Sequence, residues 1–95
     1  MIDIHFEWDV NKDNLNQIKH KISFMEAQSV FEDDNALLIA DPDHSKDEDR
    51  FIIMGMSEKA HLLVVCHCYR ASDTVIRIIS ARKATSTEAK YYYDY

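Results

Sequence analysis

The side chains of this sequence that are best suited to chemistry on an anion are the arginines and one histidine, His67, spaced through residues 50–82. A guanidinium group stays charged and offers a fork of donors that matches two anionic oxygens. An imidazole exchanges a proton near neutral pH. A sheet face that carries both kinds of group is a possible anion site. The residues concerned are Arg50, His67, Arg70, Arg77 and Arg82.

Three runs rich in β-branched and aromatic residues hold these side chains. Two short polar breaks, SEKA and ASDT, separate the runs and suit hairpin connections, so the stretch predicts an antiparallel meander. Side chains alternate along a strand, so Arg77 faces away from Ile76 and Ile78. If those isoleucines meet the helices, Arg77 lies on the open face. Arg82 has the other parity and needs a strand end or a twist to reach the same site.

Cys66 and Cys68 flank His67 in the second run. Alternation places both thiols on one face of the strand and the imidazole on the other, which argues against a metal ion shared by all three. A disulfide between residues two apart on an extended strand would be strained. We interpret the cysteines as small buried hydrophobic residues in a reducing compartment, and we expect neither a metal nor a cofactor.

Two elements are predicted near the N-terminus. Apolar and polar residues alternate from Ile2 to Trp8, as in a half-buried strand. Asp9 or Asn11 can then cap a helix that reaches about Lys21. Basic residues at the end of this helix complement the helix dipole. Its apolar positions, spaced by three and four residues, are Leu15, Ile18 and Ile22.

A second helix should begin at Ser23-Phe-Met-Glu26, which fits a capping box, and should lie on the sheet through an apolar stripe. A short strand from Ala36 to Ala40 leads into a polar loop over residues 41–49, which its composition marks as the most mobile segment. Thr85-Ser-Thr-Glu88 repeats the capping-box spacing and predicts a C-terminal helix. The stripe of the second helix consists of Phe24, Ala27, Val30 and Phe31.

The chain is predicted to form a single domain over residues 1–95, with the element order β-α-α-β-β-β-β-α. An antiparallel sheet with helices packed mainly on one face makes this an α+β fold. Its 46% hydrophobic and 29% charged residues are typical of a folded protein. No apolar run reaches the length of a membrane span and the first residues do not resemble a signal peptide, so we expect a cytoplasmic protein without membrane contact.

The net charge of −6 is unevenly distributed. Acidic residues outnumber basic ones up to Asp49, whereas basic residues outnumber acidic ones from Arg50 onward. This asymmetry permits an anionic ligand on the second half and a basic partner on the first. A solvated acidic face explains the same charge distribution equally well.

Short motifs extend along nearly the whole chain. They are Phe6-Glu7-Trp8-Asp9, Lys12, Asn14, Lys19-His20, Ser23-Phe24, Glu26-Ala27, Phe31, Asp41-Pro42-Asp43-His44-Ser45, Arg50, Gly55, His67, Arg77-Ile78-Ile79-Ser80-Ala81-Arg82, Thr85 and Glu88. Each is weak alone, but the FEWD opening, the Lys-His turn and the late RIISAR in combination closely resemble the BrnT family of toxins. Where the family usually has Gly after the Lys-His pair this chain has Lys21, so a side chain must be accommodated at positive φ.

The resemblance implies a RelE-like fold, a ribonuclease that arrests translation, and a co-expressed BrnA-like antitoxin with a ribbon-helix-helix part that makes the operator DNA contacts. Metal-independent RNA cleavage needs a base for the ribose 2′-hydroxyl, an acid for the departing 5′-oxygen and fixed positive charge. His67, Arg50, Arg77 and Arg82 are the predicted catalytic residues. The predicted RNA-binding residues are Trp8, Lys19, His20 and Arg70.

Each prediction has an alternative. A strand histidine such as His67 is more often structural than catalytic when it is considered alone. Arg82 can form an ion pair with Glu26 or Glu88, Trp8 can belong to the core, and Lys19 and His20 at the end of the first helix can simply complement the helix dipole. The whole chain can also be a non-catalytic module of the same fold that binds RNA or an antitoxin.

Overall fold

The computed structural model describes residues 3–40 and 50–94. The predicted order of elements is confirmed, with a short 3₁₀ helix added after the second α-helix. None of the helices in these residues is long and apolar enough to cross a membrane. The predicted loop 41–49 and Ile2 of the predicted first strand lie outside the described residues. In chain order the elements are β1 (His5–Glu7), α1 (Val10–His20), α2 (Phe24–Ser29), the 3₁₀ helix (Val30–Glu32), β2 (Leu37–Ala40), β3 (Arg50–Met56), β4 (Leu62–Arg70), β5 (Val75–Lys83) and α3 (Ser86–Asp94).

The strands in the described residues form one five-stranded sheet in the order β1-β5-β4-β3-β2. The neighbours from β2 to β5 are antiparallel, which confirms the meander, whereas β1 runs parallel to β5. Parallel neighbours need a long crossover, and the whole chain between β1 and β5 provides it. The sheet is therefore mixed, and the N-terminal strand lies at the edge beside the last strand.

Helices α1 and α2 cover one face of the sheet, and the core lies between them and the strands. Phe24, Ala27 and Val30 of the predicted apolar stripe are fully buried there, and Phe31 packs against them. Gly55 of β3 lies below this layer, where a Cβ atom would come within 2.9 Å of Val30 Cγ1. The stripe prediction is confirmed. The other buried members of the cluster are Ile22, Ile53, Leu63, Val65, Ile78 and Ala81.

The packing of α1 differs from the prediction. Leu15 and Ile18, expected on its apolar face, are 64% and 70% exposed, and only Ile22, just beyond the helix, is buried. The buried residue of α1 is Asn16. Its amide donates to the carbonyl oxygens of Ile22 and Ala81 at 2.8 Å each and accepts from the Ala81 N–H at 3.1 Å. A satisfied buried amide holds α1 to β5, and hydrophobic periodicity does not detect such an anchor.

The residue at the end of α1 has a left-handed backbone conformation. This conformation was expected because the BrnT family usually has glycine at the position of Lys21. Asp9, one of two predicted caps, accepts from the N–H groups of Asn11 and Lys12 at the start of the helix. At the other end Lys21 has φ 63° and ψ 24°, and its N–H donates to the carbonyl oxygen of Gln17 at 3.0 Å. The prediction of a non-glycine residue at positive φ is confirmed.

The two predicted capping boxes have different outcomes. At α3 the Glu88 N–H donates to Thr85 Oγ1 at 3.1 Å and the Thr85 N–H donates to the Glu88 carboxylate at 2.8 Å, so this box is complete. At α2 Ser23 Oγ accepts from the Glu26 N–H at 3.0 Å, but the Glu26 carboxylate binds side chains of the turn between β3 and β4 instead of closing the first helical turn. Only the serine half of that box is confirmed.

Candidate active site

Arg50 and Arg77 lie in one row across the sheet, on the face opposite to α1 and α2. The register aligns Glu7 of β1, Arg77 of β5, Cys68 of β4 and Arg50 of β3. Residues aligned in this way point to the same side of a sheet. The neighbour of Arg77, Ile78, is 1% exposed and belongs to the core. The predicted orientation of Arg77, away from the isoleucines, agrees with this register.

Arg82 reaches the same face because β5 contains a bulge. The register between β4 and β5 skips Ile79, and one extra residue reverses the alternation beyond it. Arg82 is consequently aligned with Val64, on the same side of β4 as Cys68. Alternation alone predicted that Arg82 would need a strand end or a twist to reach the face of Arg77. The bulge brings it there instead. We call the surface that carries Arg50, Arg77 and Arg82 the arginine face.

Glu88 of α3 binds Arg82 through both carboxylate oxygens. The Arg82 Nη1 and Nη2 atoms donate to Glu88 Oε1 and Oε2 at 2.8 Å and 2.9 Å. The hydrogen bonds to Glu88 raise the pKa of Arg82 above its ordinary value, and those from Arg82 lower the pKa of Glu88 to about 2. Of the two carboxylates predicted as alternative partners, Glu88 is the one found. The guanidinium is therefore charged, oriented and, with a side chain 42% exposed, open to solvent.

Glu7 occupies the β1 edge of the arginine face. Its Oε2 accepts from Arg77 Nη1 at 2.7 Å and from Arg70 Nη1 at 3.5 Å. The side chains of Glu7 and Arg77 are 39% and 31% exposed. Glu7 was not among the predicted site residues. Alternation placed it on the polar side of the first strand, but only the parallel pairing of β1 with β5 brings it to Arg77.

His67 lies on the other face and is fully buried. The rings of Phe31, Phe51 and Tyr69 lie 4.8, 6.3 and 5.3 Å from its ring, centre to centre. Its Nδ1 is 3.2 Å from the Val65 carbonyl oxygen, and its Nε2 has no hydrogen-bond partner in the described part of the chain. Burial lowers the pKa of His67, so the imidazole is neutral at neutral pH. The structure separates His67 from the three arginines with which it was grouped.

The predicted RNA-binding residues do not form one surface. Arg70 ends β4 beside the arginine face, with a side chain 56% exposed. Trp8 packs against the core and contacts Phe24 edge to face, with the two ring centres 6.2 Å apart. Lys19 and His20 end α1, which covers the opposite face of the sheet. Of these four residues, only Arg70 is placed to extend the arginine face.

The two cysteines lie on the arginine face, and His67 lies on the core side, as alternation predicted. Cys68 is buried and Cys66 is half-buried. In residues 3–40 and 50–94 no group of three or more histidine, cysteine, aspartate or glutamate side chains is arranged to hold a metal ion. The charged groups of this face in the described residues include the guanidinium groups and the carboxylates of Glu7 and Glu88.

Helix α3 borders the arginine face, and polar contacts fasten it. Near its start Glu88 holds Arg82, and near its end the Tyr92 hydroxyl donates to Asp33 Oδ2 at 2.6 Å, which raises the pKa of Tyr92 to about 12. None of its described residues is buried. Between α3 and β2 lies a cavity of about 520 Å³ lined mainly by aliphatic side chains. The helix is thus a peripheral element with a polar contact to the rest of the protein near each of its ends.

Comparison with protein-family models identifies the family. Residues 8–88 match the family described as the ribonuclease toxin, BrnT, of type II toxin-antitoxin systems. The chain belongs to the BrnT family. The matched range includes all three arginines of the arginine face, while His5 and Glu7 of β1 precede it.

A solved BrnT structure has the same fold. The crystal structure of the Brucella abortus ribonuclease toxin BrnT, at 1.1 Å resolution, aligns with a TM-score of 0.65 over 90% of this chain and 100% of that chain, at 19% sequence identity. No curated protein sequence matches the chain. The BrnT assignment and the α+β fold are therefore confirmed, and with them the assignment to ribonuclease toxins of toxin-antitoxin systems.

Proposed function

We propose that this BrnT-family chain cleaves RNA on its arginine face without a metal ion and thereby arrests translation in the cytoplasm. The observation that carries the proposal is the bulge at Ile79, because it aligns Arg77 and Arg82 on one face together with Arg50. Membership of a ribonuclease toxin family supports RNA as the substrate. Fixed positive charge directed at a developing anion is commonly the largest contribution to such catalysis.

The arrangement of the arginines suits the charge that RNA cleavage develops. Attack of the ribose 2′-hydroxyl on phosphorus concentrates negative charge on the phosphoryl oxygens, and guanidinium groups offer paired donors to them. Arg77 and Arg82 already hold Glu7 and Glu88, which orients both guanidinium groups. Exposed ion pairs contribute only about 0–1 kcal/mol, so a phosphate can share each guanidinium group with its carboxylate at little cost.

We do not propose that His67 contacts RNA. A group that transfers a proton must come within hydrogen-bond reach of the reacting oxygen. The ring of His67 is instead enclosed among aromatic rings on the helix-covered face. Its burial supports a role in core packing, so proton transfer has to come from other groups.

Purified protein incubated with RNA in excess chelator tests the proposal. We expect cleavage that leaves 2′,3′-cyclic phosphate ends. The matched control is Arg77→Ala purified in the same way, since a contaminating nuclease would cut equally in both preparations. Cleavage that stops with chelator and returns with magnesium would refute the metal-independent mechanism.

The proposed partner is a BrnA-like ribbon-helix-helix antitoxin that covers the arginine face. Neutralisation of phosphates by lysine and arginine dominates DNA affinity, and the net charge of −6 disfavours such binding by this chain alone. We therefore expect the antitoxin to supply the operator contacts. Gel-shift titrations with the isolated chain and with the complex test this division. Tight, sequence-specific DNA binding by the isolated chain would contradict it.

A second candidate is a non-catalytic module of the same fold that binds RNA or an antitoxin. The observation that favours it is that carboxylates already engage both Arg77 and Arg82. Induced expression without antitoxin separates the two candidates. An active toxin arrests growth and the Arg77→Ala variant does not, whereas a binding module leaves growth unchanged in both cases.

A further inference from the structure

The proposed cleavage leaves the proton transfers without a group to perform them. Arginine side chains stay protonated in proteins, so they supply charge but exchange no proton. His67 is buried on the opposite face. The attack of the 2′-oxygen nevertheless needs a proton acceptor, and the departing 5′-oxygen needs a donor. These groups have to be sought among the titratable side chains that border the arginine face.

The edge strand β1 places two such side chains beside Arg77. His5 and Glu7 are two residues apart on an extended strand, so they point to the same side with their Cα atoms about 6.6 Å apart. The parallel register aligns His5 with Val75 and Glu7 with Arg77, which sets both on the arginine face. The His5 N–H donates to the Thr74 carbonyl oxygen at 3.0 Å and so anchors the strand. His5 is exposed and Glu7 is half-buried.

Both arginines and acidic side chains lie around this pair. Arg77 of β5 and Arg70 of β4 both donate to Glu7, and both contacts are made to Oε2. Arg50 of β3 follows in the same cross-strand row. Asp3 lies two residues before His5, Asp9 lies two residues after Glu7, and exposed Asp73 lies in the turn next to Thr74, whose carbonyl oxygen accepts from the His5 N–H. A phosphate drawn to Arg77 would therefore lie next to a carboxylate held in place and an imidazole in solvent.

We propose that Glu7 accepts the proton of the ribose 2′-hydroxyl and that His5 donates a proton to the departing 5′-oxygen. This inference rests on the proposed ribonuclease function. The 2′-O–H bond breaks as its proton passes to the Glu7 carboxylate, the 2′-oxygen forms a bond to phosphorus, and the bond from phosphorus to the 5′-oxygen breaks. The 5′-oxygen takes the proton of the His5 imidazolium and leaves as a hydroxyl. The products are a 2′,3′-cyclic phosphate, a protonated Glu7 and a neutral His5, and solvent restores both protonation states.

The residue types match these roles at neutral pH. An ordinary carboxylate is ionised there and can accept a proton, whereas an ordinary imidazole is partly protonated and can donate one. The arrangement places a carboxylate and an imidazole on one edge strand beside the fixed positive charge of Arg77. General acid and base groups of this kind each contribute about 10²–10⁴-fold to a rate.

Glu7→Gln tests the acceptor, because an amide oxygen can still receive the Arg77 hydrogen bond but cannot take the proton. We expect kcat to fall about 10²-fold or more, with RNA affinity close to that of the unmodified protein. The acid limb of the pH profile of kcat/KM should disappear. Glu58→Gln, in the exposed turn between β3 and β4, is the matched control and should cleave normally. Glu7→Asp keeps a carboxylate at shorter reach and should recover part of the rate together with the acid limb.

His5→Gln tests the donor through the leaving group. On ordinary RNA we expect a loss of about 10²-fold or more in kcat. On RNA whose 5′-oxygen at the mapped cleavage position is replaced by sulfur, the thiolate leaves without a proton, so His5→Gln should cut nearly as fast as the unmodified protein. Glu7→Gln should remain slow on both substrates. All rates are expressed per folded molecule, with the folded fraction measured by circular dichroism.

The outcomes separate this inference from the proposed function. If the unmodified protein cleaves RNA in chelator and Arg77→Ala is slow, but either β1 variant cleaves ordinary RNA at the full rate, the acid–base assignment is overturned and the ribonuclease proposal stands. An acid limb that survives in Glu7→Gln would make Glu7 an orienting partner of Arg77 only. A His5→Gln defect of equal size on both substrates would overturn the donor role. If the unmodified protein cleaves no RNA, the proposed function itself fails.

Discussion

Arg77 and Arg82 of β5 point to the same face of the sheet, although alternation along a regular strand would send them to opposite faces. The register with β4 skips Ile79, and this extra residue reverses the alternation between them. The same bulge keeps Ile78 and Ala81 in the core on the other side. One inserted residue therefore lets β5 serve packing and positive charge at once.

Arg77→Ala and Ile78→Ala should separate function from folding at neighbouring positions of β5. Arg77 is partly exposed on the arginine face, so its truncation should lower RNA cleavage about 10²-fold or more through lost charge stabilisation, with little change in stability. Ile78 is 1% exposed, and its truncation should lower the free energy of unfolding by about 2–5 kcal/mol. Thermal melts and cleavage rates per folded molecule measure both. An Arg77→Ala protein that melts far below the unmodified protein, yet cleaves normally when folded, would make Arg77 a structural residue.

Removal of Glu88 should make stability less sensitive to acid. Glu88 has a pKa of about 2 in the folded protein against an ordinary value of 4.5, because Arg82 binds its charged form. A lowered folded-state pKa gives stability that is present above pH 4.5 and is lost as the pH falls toward 2. After allowance for solvent screening at this surface pair, we expect the pair to contribute about 1 kcal/mol to the free energy of unfolding. Urea unfolding of the unmodified protein and of Glu88→Gln across this range should show curves that converge at the acid end. Curves separated by a constant amount would show that the pair titrates outside this window.

His67→Phe should fold as well as the unmodified protein at neutral pH. The Nε2 atom of His67 has no hydrogen-bond partner in the described residues, and aromatic rings surround it, so we expect a stability change within about 1 kcal/mol. Burial lowers the folded-state pKa of His67 below 6.5, so the unfolded chain takes up a proton first as the pH falls. The unmodified protein should therefore lose stability below pH 6.5 more steeply than the variant. A variant that is folded but inactive in RNA cleavage would show instead that His67 takes part in the reaction.

Lys21→Gly should stabilise the protein. Lys21 has φ 63°, and in this left-handed backbone conformation the Cβ atom of a non-glycine residue costs about 1–2 kcal/mol. Replacement by glycine removes this strain, but the greater freedom of glycine in the unfolded chain offsets part of the stabilisation. We expect a net increase of about 0.5–1 kcal/mol in the free energy of unfolding. Lys19→Gly, within the regular part of α1, is the control. Its free energy of unfolding should fall by about the same amount. Equal losses in both variants would show that the Lys21 side chain contributes contacts that outweigh its backbone strain.

The amino-acid sequence by itself determined the features that depend on local periodicity and local capping. The alternating and helical patterns led to the order of elements, the meander of β3, β4 and β5, and the buried stripe of α2. The motifs distributed along the chain led to the BrnT family. The resemblance to the BrnT family, which usually has glycine after the Lys-His pair, implied a positive φ at Lys21. Each element and each single motif is recognised from residues that are close together in the chain.

The tertiary structure alone decided the features that depend on register and on the pairing of distant segments. Local patterns do not show that Ile79 is skipped, that β1 runs parallel to β5, or that Asn16 bonds across to Ala81. A single skipped residue reverses the face of every side chain beyond it, and a strand edge accepts partners from anywhere in the chain. These long-range choices assembled the arginine face, added Glu7 to it and left His67 in the core, because strand pairing and core packing are satisfied for the whole chain at once.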